Sequence, residues 1–467
     1  MKFTQYCLMA LICLSTLSQA QPPNISYTYE YPYVDGIPFF RYKERREMLR
    51  NSHSEKSLIV SLSADIRNRQ NDVNHPYRQS SNFLYLTGMP YPQSALILAP
   101  GGIMYEGKVS KEFLFINPRN SSKEAWEGAL MGIEEAKMLG IETILPYSNL
   151  KSFVMEHLKG KDTIYFTGLP TANIPIPLSE KPFSVEQNLK EELHQTFPDL
   201  YIKTSMQKLI AMREIKDADE IRLMKKAIDI SMEGHVSAMK QAKAGITEYE
   251  LEAMMEFTFK KEGAEDIGYS SIMGAGYNAC ILHYNSNRKA TLNGDLVLAD
   301  CGAEYQNYTA DITRTFPVNG TFSPDQKTLY DIVLEAADSA ILESKIGNPF
   351  RAPHNAARKV ILKRLQALDI IETEDQLKWY FMHGTSHYLG LDVHDPGTGG
   401  TLKDGSIITV EPGIYIPPGS PCDKRWWNIG IRIEDDILIT QQGPLNLSET
   451  LPRTTEGIEK LMKKSNK

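Results

Sequence analysis

The chain has little cysteine, no dominant charge of either sign and no long apolar run beyond its first residues. Its 467 residues include 5 Cys, and 51 Lys plus Arg stand against 58 Asp plus Glu, a formal net charge of −7. This weakly acidic balance argues against a surface that binds nucleic acid mainly through phosphate contacts. Tandem repeats and low-complexity tracts are missing, and 42% hydrophobic residues are too many for a wholly disordered chain. Small molecules or peptides are therefore the expected partners.

The first twenty residues have the pattern of a signal peptide. One Lys stands near the start, an apolar stretch follows, and Ser18 and Ala20 place small residues where signal peptidase reads them. The apolar stretch is shorter than the roughly 20 residues that cross a bilayer. We therefore predict that residues 1–20 are cleaved and that the protein is exported, to the periplasm in a Gram-negative bacterium and otherwise out of the cell. No membrane-inserted segment is expected in the mature chain.

Removal of that segment leaves three cysteines, Cys280, Cys301 and Cys422. An odd and sparse set does not suit a disulfide framework, although an exported protein would permit one. We therefore expect these side chains to be ordinary buried thiols.

The apolar pattern divides the remaining chain into two domains after a Pro- and Tyr-rich leader at residues 21–38. Residues 39–203 alternate short apolar runs with helical stretches, as an α/β domain does. Strands are predicted at 58–62, 94–98, 112–116 and 162–166, and helices at 124–139 and 186–195. Residues 204–467 open with a strongly helical pattern, in which Ile221, Met224, Ile228 and Met232 share one helix face. The chain beyond residue 270 becomes strand-rich around a helical interlude at 323–368.

Two aspartates in the second domain fall on a predicted hairpin. The run ending at Asp300 and the run that follows Asp311 flank a polar turn at residues 305–307. With the centre of the turn between Tyr305 and Gln306, the two aspartates lie directly opposite each other and point to the same face. Two like charges on one face require a cation or a shared proton, so a metal is the natural explanation. The alternative is a shifted register with one aspartate facing solvent.

Histidines and glutamates strengthen the case for a metal. Residues 383–394 contain three of the ten histidines, and Glu411 and Glu434 each end an apolar run. A carboxylate at the end of a buried strand is costly unless it is paired or binds a metal. Each feature alone could be structural. Together with the two aspartates they indicate four carboxylates and one imidazole around a single site.

An oxygen-rich set of this kind fits Mn²⁺, Fe²⁺ or Co²⁺ better than a thiolate zinc site. Five ligands suffice for two ions when carboxylates bridge them. Two ions roughly 3.5–4 Å apart hold a bridging hydroxide, lower its pKa and polarise the carbonyl that it attacks. The prediction is a hydrolase with two divalent metal ions, Mn²⁺ first, with Co²⁺, Fe²⁺ or Zn²⁺ as alternatives.

Four segments of the second domain resemble the ligand-bearing motifs of the pita-bread metallopeptidases: LADCGAEYQNYTADITRTF, HGTSHYLGLDVHD, VEPGIY and GIRIEDD. Among them the chain is most similar to the aminopeptidase P family. The resemblance covers nearly all of the mature chain, because HPYRQSSNFLYLTG at residues 75–88 and WEG at 126–128 resemble that family's non-catalytic domain, and REIK at 213–216 its helical opening. It implies an α/β N-terminal domain followed by an α+β pita-bread (creatinase/aminopeptidase-like) catalytic domain. The metal ligands that it implies are Asp300, Asp311, His387, Glu411 and Glu434.

The resemblance also implies a substrate and an assembly. The substrate class is a peptide with proline at its second position, cut at the Xaa-Pro bond, and the assembly is a homo-oligomer, either a dimer or a tetramer. His283 matches the histidine that contacts substrate near the scissile bond. His394 matches the one that stabilises the developing oxyanion, and His383 one that lines the proline-side pocket. Imidazoles are suitable donors where negative charge develops.

Three further residues take implied roles beside the metals. Glu411 would be ligand and general base together, passing a proton from the attacking water to the proline nitrogen. Arg432 and Tyr415 match an arginine and a tyrosine next to the metals. Structural alternatives exist for this pair: the arginine could merely neutralise Asp435 or Glu434, and the tyrosine could be a core aromatic with its hydroxyl satisfied.

Three other functions compete with this interpretation. Prolidase shares the fold, metals and chemistry but cuts only Xaa-Pro dipeptides. A non-enzymatic pita-bread protein that binds peptides would be expected to lose ligands, and here all five positions are filled. A mononuclear zinc peptidase could use His383 and His387, four residues apart on one helix face. However, the Gly384-Thr385-Ser386 sequence between them makes a stable helix doubtful, and this reading leaves the four acids unexplained.

Overall fold

The computed structural model describes residues 27–33, 35–168 and 185–463. The predicted signal peptide lies outside these residues. Within them, none of the helices combines the length and apolar character that crossing a bilayer demands. The three cysteines are free thiols, as predicted; Cys301 is buried, whereas Cys280 and Cys422 are partly buried.

Strands and helices succeed each other along both halves of the described chain. The strands are, in chain order, β1 Ser57–Leu62, β2 Asn68–Gln70, β3 Val73–Asn74, β4 Ala95–Tyr105, β5 Lys108–Ile116, β6 Thr143–Pro146, β7 Thr163–Phe166, β8 Tyr201–Thr204, β9 Asp266–Ile267, β10 Ile272–Ala275, β11 Leu296–Asp300, β12 Ala303–Tyr305, β13 Tyr308–Thr309, β14 Thr313–Pro317, β15 Ile407–Val410, β16 Gly413–Ile416, β17 Ile429–Arg432, β18 Asp435–Thr440 and β19 Gly443–Asn446. The α-helices are Phe39–Asn51, Ser81–Thr87, Ser121–Glu127, Leu150–His157, Val185–Thr196, Met206–Glu214, Ala218–Gln241, Glu248–Lys261, Pro324–Glu343, Ala352–Ala367 and Thr455–Lys463. Short 3-10 turns occupy Glu135–Leu139, Tyr147–Asn149, Gly276–Cys280, Glu374–Trp379 and Lys424–Trp426.

The N-terminal half is a six-stranded mixed sheet in the order β6-β5-β4-β1-β7-β8, covered on both faces. Its central strand β1 is buried along its whole length, as an apolar run between two layers should be. Leu58 and Val60 pack into a core with Phe153 on one face. Ile59 points to the other face, into a core that also contains Leu223 of the helix Ala218–Gln241. The two halves of the molecule therefore share a hydrophobic core. The four strands predicted in this half are confirmed.

The predicted helix at residues 124–139 is wrong in its middle. The helix Ser121–Glu127 stops at Gly128, which has a φ of 81°. A positive φ of this size favours glycine, and with a ψ of 175° the backbone at this residue is extended and cannot continue the helix. Helical structure resumes only as the short turn Glu135–Leu139.

The second half combines long helices with small antiparallel sheets, among them β10-β11-β14 and β15-β18-β19. The long helix Ala218–Gln241 begins at a capping box formed by Asp217 and Glu220. Its predicted apolar face is confirmed, because Met224 and Ile228 are buried in the shared core. The strand pairs β11-β14, β15-β18 and β16-β17 end close together, and their ends carry the predicted ligands.

The hairpin between β11 and β14 forms as predicted, but its register differs by two residues. Asp300 pairs with Thr313 and Tyr305 pairs with Tyr308, so Asp311 is not directly opposite Asp300. The turn consists of Gln306 and Asn307, both with positive φ (48° and 66°), as a two-residue hairpin turn of type I′ requires. The centre therefore lies one position further along the chain than predicted. A shift by an even number of residues keeps a side chain on the same face of the strand pair.

Candidate metal centre

Four carboxylates and one imidazole converge where several strands end. Asp300 is the last residue of β11, and Asp311 lies just before β14; Glu411 follows β15 and Glu434 joins β17 to β18. His387 is held beside β15 by reciprocal contacts with Thr409. The His387 backbone N–H donates to Thr409 Oγ1 (3.1 Å), and the Thr409 N–H donates to the His387 carbonyl (3.0 Å).

The functional atoms of this set lie within ligand distance of one another. His387 Nε2 is 3.2 Å from Asp311 Oδ2 and 3.7 Å from Glu411 Oε1. Asp311, His387 and Glu434 each offer an atom within 4.8 Å of the other two. A cavity of about 450 Å³ opens onto Asp300, Asp311, His387 and Glu411. The predicted ligand set is therefore assembled in space, although its members come from five separate segments.

The carboxylates of this cluster are buried and short of positive charge. Burial raises the pKa of Asp300, and it raises the pKa of Glu411 to about 7. Burial, together with the neighbouring charges of Asp311, Glu411 and Asp300, raises the pKa of Glu434 well above its usual range. Burial alone would lower the pKa of His387, but the hydrogen bond and charge of Asp311 raise it to about 9. The cluster thus holds on to protons in place of a cation.

This donor set fits divalent metal ions. Among the described residues, the one arginine or lysine paired with these four carboxylates is Arg432, which bonds to Asp300. Divalent cations displace these protons and supply the compensating charge. Carboxylate oxygens with one imidazole suit Mn²⁺, Co²⁺, Fe²⁺ or Zn²⁺. Cys301, the residue after Asp300, directs its thiol to the Ile272 carbonyl (3.7 Å), and it is not among the residues that line the cavity.

A chain of hydrogen bonds that runs through Arg432 and Thr313 orients the carboxylates of Asp300 and Glu434. Arg432 donates to an oxygen of Asp300, to Thr313 Oγ1 (3.1 Å) and to the Tyr415 hydroxyl (2.9 Å). Thr313 in turn donates to Glu434 Oε2 (2.6 Å). The alternative in which Arg432 merely neutralises Asp435 is wrong, because Asp435 is paired with Arg314 (2.7 Å) and Arg453 (2.7 Å). Tyr415 is a buried aromatic, but its hydroxyl is part of the site.

The three predicted outer histidines also face the cavity. The ring of His394 lies edge-on to that of His387, with centroids 4.5 Å apart. His383 Nε2 is 2.8 Å from the Tyr415 hydroxyl. Burial and the charge of Arg432 lower the pKa of His383 to about 4, so its imidazole is neutral near pH 7. His283 is exposed at the cavity wall.

Three polar residues at this site escaped the sequence-based prediction. The Tyr269 hydroxyl donates to Asp300 Oδ1 (2.6 Å), and Thr313 links Arg432 to Glu434 as described. Asp436 Oδ2 accepts from the Asp311 backbone N–H (3.1 Å). Tyr269 lies outside the quoted motifs, and Thr313 lies inside one but carries no signal that distinguishes it from the threonines beside it. The second aspartate after Glu434 was visible in the sequence, but nothing there placed it beside Asp311.

The zinc alternative finds no support in the local backbone. Residues 381–387 contain no helix, so His383 and His387 do not share a helix face. Instead, His387 turns to Asp311 and His383 to Tyr415. Three of the four acids that this alternative left unexplained, Asp311, Glu411 and Glu434, lie close to His387, and Asp300 lines the same cavity.

Comparisons with known proteins give the same picture. Residues 222–441 match metallopeptidase family M24, and residues 42–165 match the aminopeptidase P N-terminal domain. The chain is 34% identical over 435 residues to a protein named Xaa-Pro aminopeptidase in Escherichia coli K12. This alignment covers 90% of this chain and 97% of the relative. Its namesake in Haemophilus influenzae is 34% identical over 446 residues, 93% of this chain and 99% of the relative.

Solved structures extend the likeness to the fold. Aminopeptidase PepP of Pseudomonas aeruginosa superposes with a TM-score of 0.84 at 34% identity, over 93% of this chain and all (100%) of the other. A zinc-substituted aminopeptidase P of E. coli in complex with product gives a TM-score of 0.85 at 31% identity, over 92% of this chain and 100% of the other.

Proposed function

This chain belongs to the aminopeptidase P group of metallopeptidase family M24, and from that membership we propose that it is a hydrolase that releases the N-terminal residue from peptides with proline at the second position. The observation that carries the proposal is that Asp300, Asp311, His387 and Glu411 line one cavity, with three further histidines around it. Glu434 lies within ligand distance of Asp311 and His387. The cavity is large enough for a short peptide end.

We propose that these five residues hold two divalent metal ions, Mn²⁺ first, with Co²⁺, Fe²⁺ or Zn²⁺ as alternatives. The fit rests on the shortage of positive charge among buried carboxylates. When bound, the ions supply Lewis-acid polarisation of the scissile carbonyl and lower the pKa of the attacking water.

The remaining chemistry falls to the protein's own side chains. Glu411 faces the cavity beside His387, where its carboxylate can accept a proton from the attacking water and give it to the departing proline nitrogen. His394, beside His387 at the cavity wall, can donate to the oxygen on which negative charge develops. His283 contacts the substrate near the scissile bond, and His383 lines the side that receives proline. Arg432 and Tyr415 keep Asp300 and His383 in place.

Proline accounts for a dedicated enzyme. Its nitrogen carries no N–H when bonded, and its ring fixes φ, so peptidases that need that donor or an adaptable backbone handle Xaa-Pro bonds poorly. Apolar side chains such as Ile272, Leu282 and Val393 line the cavity and can pack against the ring.

The test is a matched set of peptides assayed after chelation and reconstitution with Mn²⁺, Co²⁺ or Zn²⁺. We expect release of the first residue from an Xaa-Pro-Xaa tripeptide and little or none when alanine replaces proline. Cleavage of Xaa-Pro dipeptides alone would make the protein a prolidase. Inactivity on every peptide with every metal would identify it as a peptide-binding protein.

We also propose export and self-association. Residues 1–20 support export through a signal peptide, to the periplasm of a Gram-negative bacterium or otherwise out of the cell. N-terminal sequencing of the secreted or periplasmic protein should begin at Gln21. Family resemblance supports a homo-oligomer, dimer or tetramer, which light scattering of the purified protein measures directly.

A further inference from the structure

Two sequence segments that the proposed chemistry leaves unused meet a third, the loop that carries His394. They are the HPYRQSSNFLYLTG segment of the N-terminal domain, the REIK segment that opens the second half, and residues 391–395, which carry His394. Their charged and polar side chains form one network around that loop. We propose that this network, reaching from the N-terminal domain, positions His394, with Asp392 and Asp395 as its positioning residues.

Asp395, directly after His394, is the buried anchor of the loop. Its side chain is 1% exposed and pairs with Arg213 and with Lys216, whose Nζ lies 3.1 Å from Asp395 Oδ2. Asp395 Oδ1 also accepts the backbone N–H of Asp392 (3.2 Å). The loop is therefore closed on itself and fixed to the segment that precedes the long helix Ala218–Gln241.

Asp392, two residues before His394, carries the connection to the N-terminal domain. Asp392 Oδ1 accepts from the Ser81 hydroxyl (2.6 Å), and Oδ2 pairs with Arg213 (2.7 Å). Arg213 also donates to Asn82 Oδ1 (2.8 Å), and this amide is itself buried. Two neighbouring residues of the N-terminal domain thus hold both the aspartate and the arginine that faces it.

Arg78 joins the same loop to the hairpin that carries Asp300 and Asp311. Its guanidinium donates to the Leu391 carbonyl, to Glu304 Oε2 (2.9 Å) and to the Asn307 carbonyl (3.3 Å). The backbone adds a direct link, because the Thr309 N–H donates to the Gly390 carbonyl (3.0 Å).

The consequence for catalysis is geometric. His394 is exposed and lies at the cavity wall, so the backbone on either side of it must fix the position of the ring. Two aspartates within two residues of it pair with Arg213 and Lys216. The Ser81 hydroxyl ties one of them, Asp392, to the N-terminal domain. A small displacement of a catalytic group is enough to cost a large part of the rate. The N-terminal domain therefore contributes to the site without placing a side chain on the substrate.

The inference rests on the role proposed for His394, and a double-mutant cycle tests the two separately. The variants are Asp392→Asn, which keeps the shape of the side chain, the milder Ser81→Ala, and His394→Ala, alone and combined. We expect Asp392→Asn to lower kcat about tenfold and Ser81→Ala about threefold, with KM and bound metal nearly unchanged. In the His394→Ala background, neither change should lower kcat further.

Glu112→Gln is the matched control. Glu112 is a buried carboxylate of the N-terminal domain that pairs with Arg46 (2.9 Å) and Arg50 (2.8 Å). Neither arginine pairs with Asp392 or Asp395, and Arg46 meets the helix Ser81–Thr87 only near its far end, at the Leu86 carbonyl (3.1 Å). This variant should lower the melting temperature and leave kcat unchanged. Losses from Asp392→Asn and Ser81→Ala that multiply with that of His394→Ala would overturn the positioning role and leave the proposed function intact. Full kcat in His394→Ala alone would overturn the proposed role of His394, and the positioning inference with it.

Discussion

Two charged clusters in this molecule, one around a single buried acid and one around four carboxylates, differ in how many cationic side chains face the acids. Glu112 in the N-terminal sheet is matched by two guanidinium groups, those of Arg46 and Arg50. The metal centre brings together four carboxylates, and among the described residues Arg432 alone supplies them with a lysine or arginine partner. We call a cluster balanced when every carboxylate in it has a cationic side-chain partner, and unbalanced when some have none. A balanced cluster needs no ligand, whereas an unbalanced one needs a ligand that brings positive charge. The number of cationic partners therefore distinguishes Glu112, a structural acid, from the four carboxylates of the metal centre.

The largest expected effect comes from removing one carboxylate of the unbalanced cluster. Asp300→Asn should lower kcat/KM on an Xaa-Pro-Xaa tripeptide by more than about 100-fold, because a metal ligand and the charge paired with Arg432 are lost together. Steady-state kinetics with Mn²⁺ in excess measures the change. Hydrolysis at the wild-type rate would contradict the metal-dependent chemistry.

The balanced cluster should respond in the opposite way. Glu112→Gln leaves Arg46 buried without its partner, and breaking a buried pair in this manner costs about 3–5 kcal/mol of unfolding free energy. Chemical denaturation measures that loss, while the activity of the folded variant should match the wild type. A variant with normal stability would show that the two guanidinium groups find other partners.

Metal binding should stabilise the fold through the unbalanced cluster alone. A metal at 100 times its Kd adds about 2.7 kcal/mol to the stability of the native state. Thermal unfolding of the chelated protein, with and without Mn²⁺, should therefore show a clear upward shift. The shift should persist in Glu112→Gln and shrink in Asp300→Asn; an equal shift in both variants would place the metal elsewhere.

The raised pKa values predict that metal binding releases protons. The pKa of Glu411 is raised to about 7 by burial, and Asp311 raises that of His387 to about 9 against the effect of burial. Near pH 7 the metal-free site thus holds protons that a cation displaces, so metal affinity should fall as the pH drops from 8 to 6. Calorimetry in buffers of different ionisation enthalpy counts the released protons. Binding without proton release would contradict the pKa directions.

A smaller effect is expected from a residue that supports a metal ligand without binding the metal itself. Tyr269→Phe removes the hydroxyl that donates to Asp300 Oδ1 (2.6 Å) but leaves every ligand in place. Loss of such a supporting contact typically costs about 10-fold in metal affinity. A metal titration against a chelator resolves this change. Wild-type affinity would show that Arg432 alone orients the carboxylate.

The sequence allowed prediction of the hairpin and of the acids at strand ends, because charge next to an apolar run is a local signal. The register of the hairpin was predicted two residues off, since the turn depends on the left-handed conformation of Gln306 and Asn307. The helix predicted at 124–139 failed for a similar reason, namely the backbone at Gly128.

Contacts between distant segments could not be predicted. The pairing of Ser81 with Asp392 and the position of Tyr269 beside Asp300 depend on how whole elements pack. The residues alone assigned no roles to His283, His383 and His394; family resemblance implied those roles, and His394→Ala tests one of them.

The account depends most directly on the number of ions that the unbalanced cluster binds. Crystals of the Mn²⁺-loaded protein, measured at the manganese absorption edge, give that number and the positions of the ions. We expect two anomalous peaks among Asp300, Asp311, His387, Glu411 and Glu434. A single peak, or none within reach of these five side chains, would contradict the account.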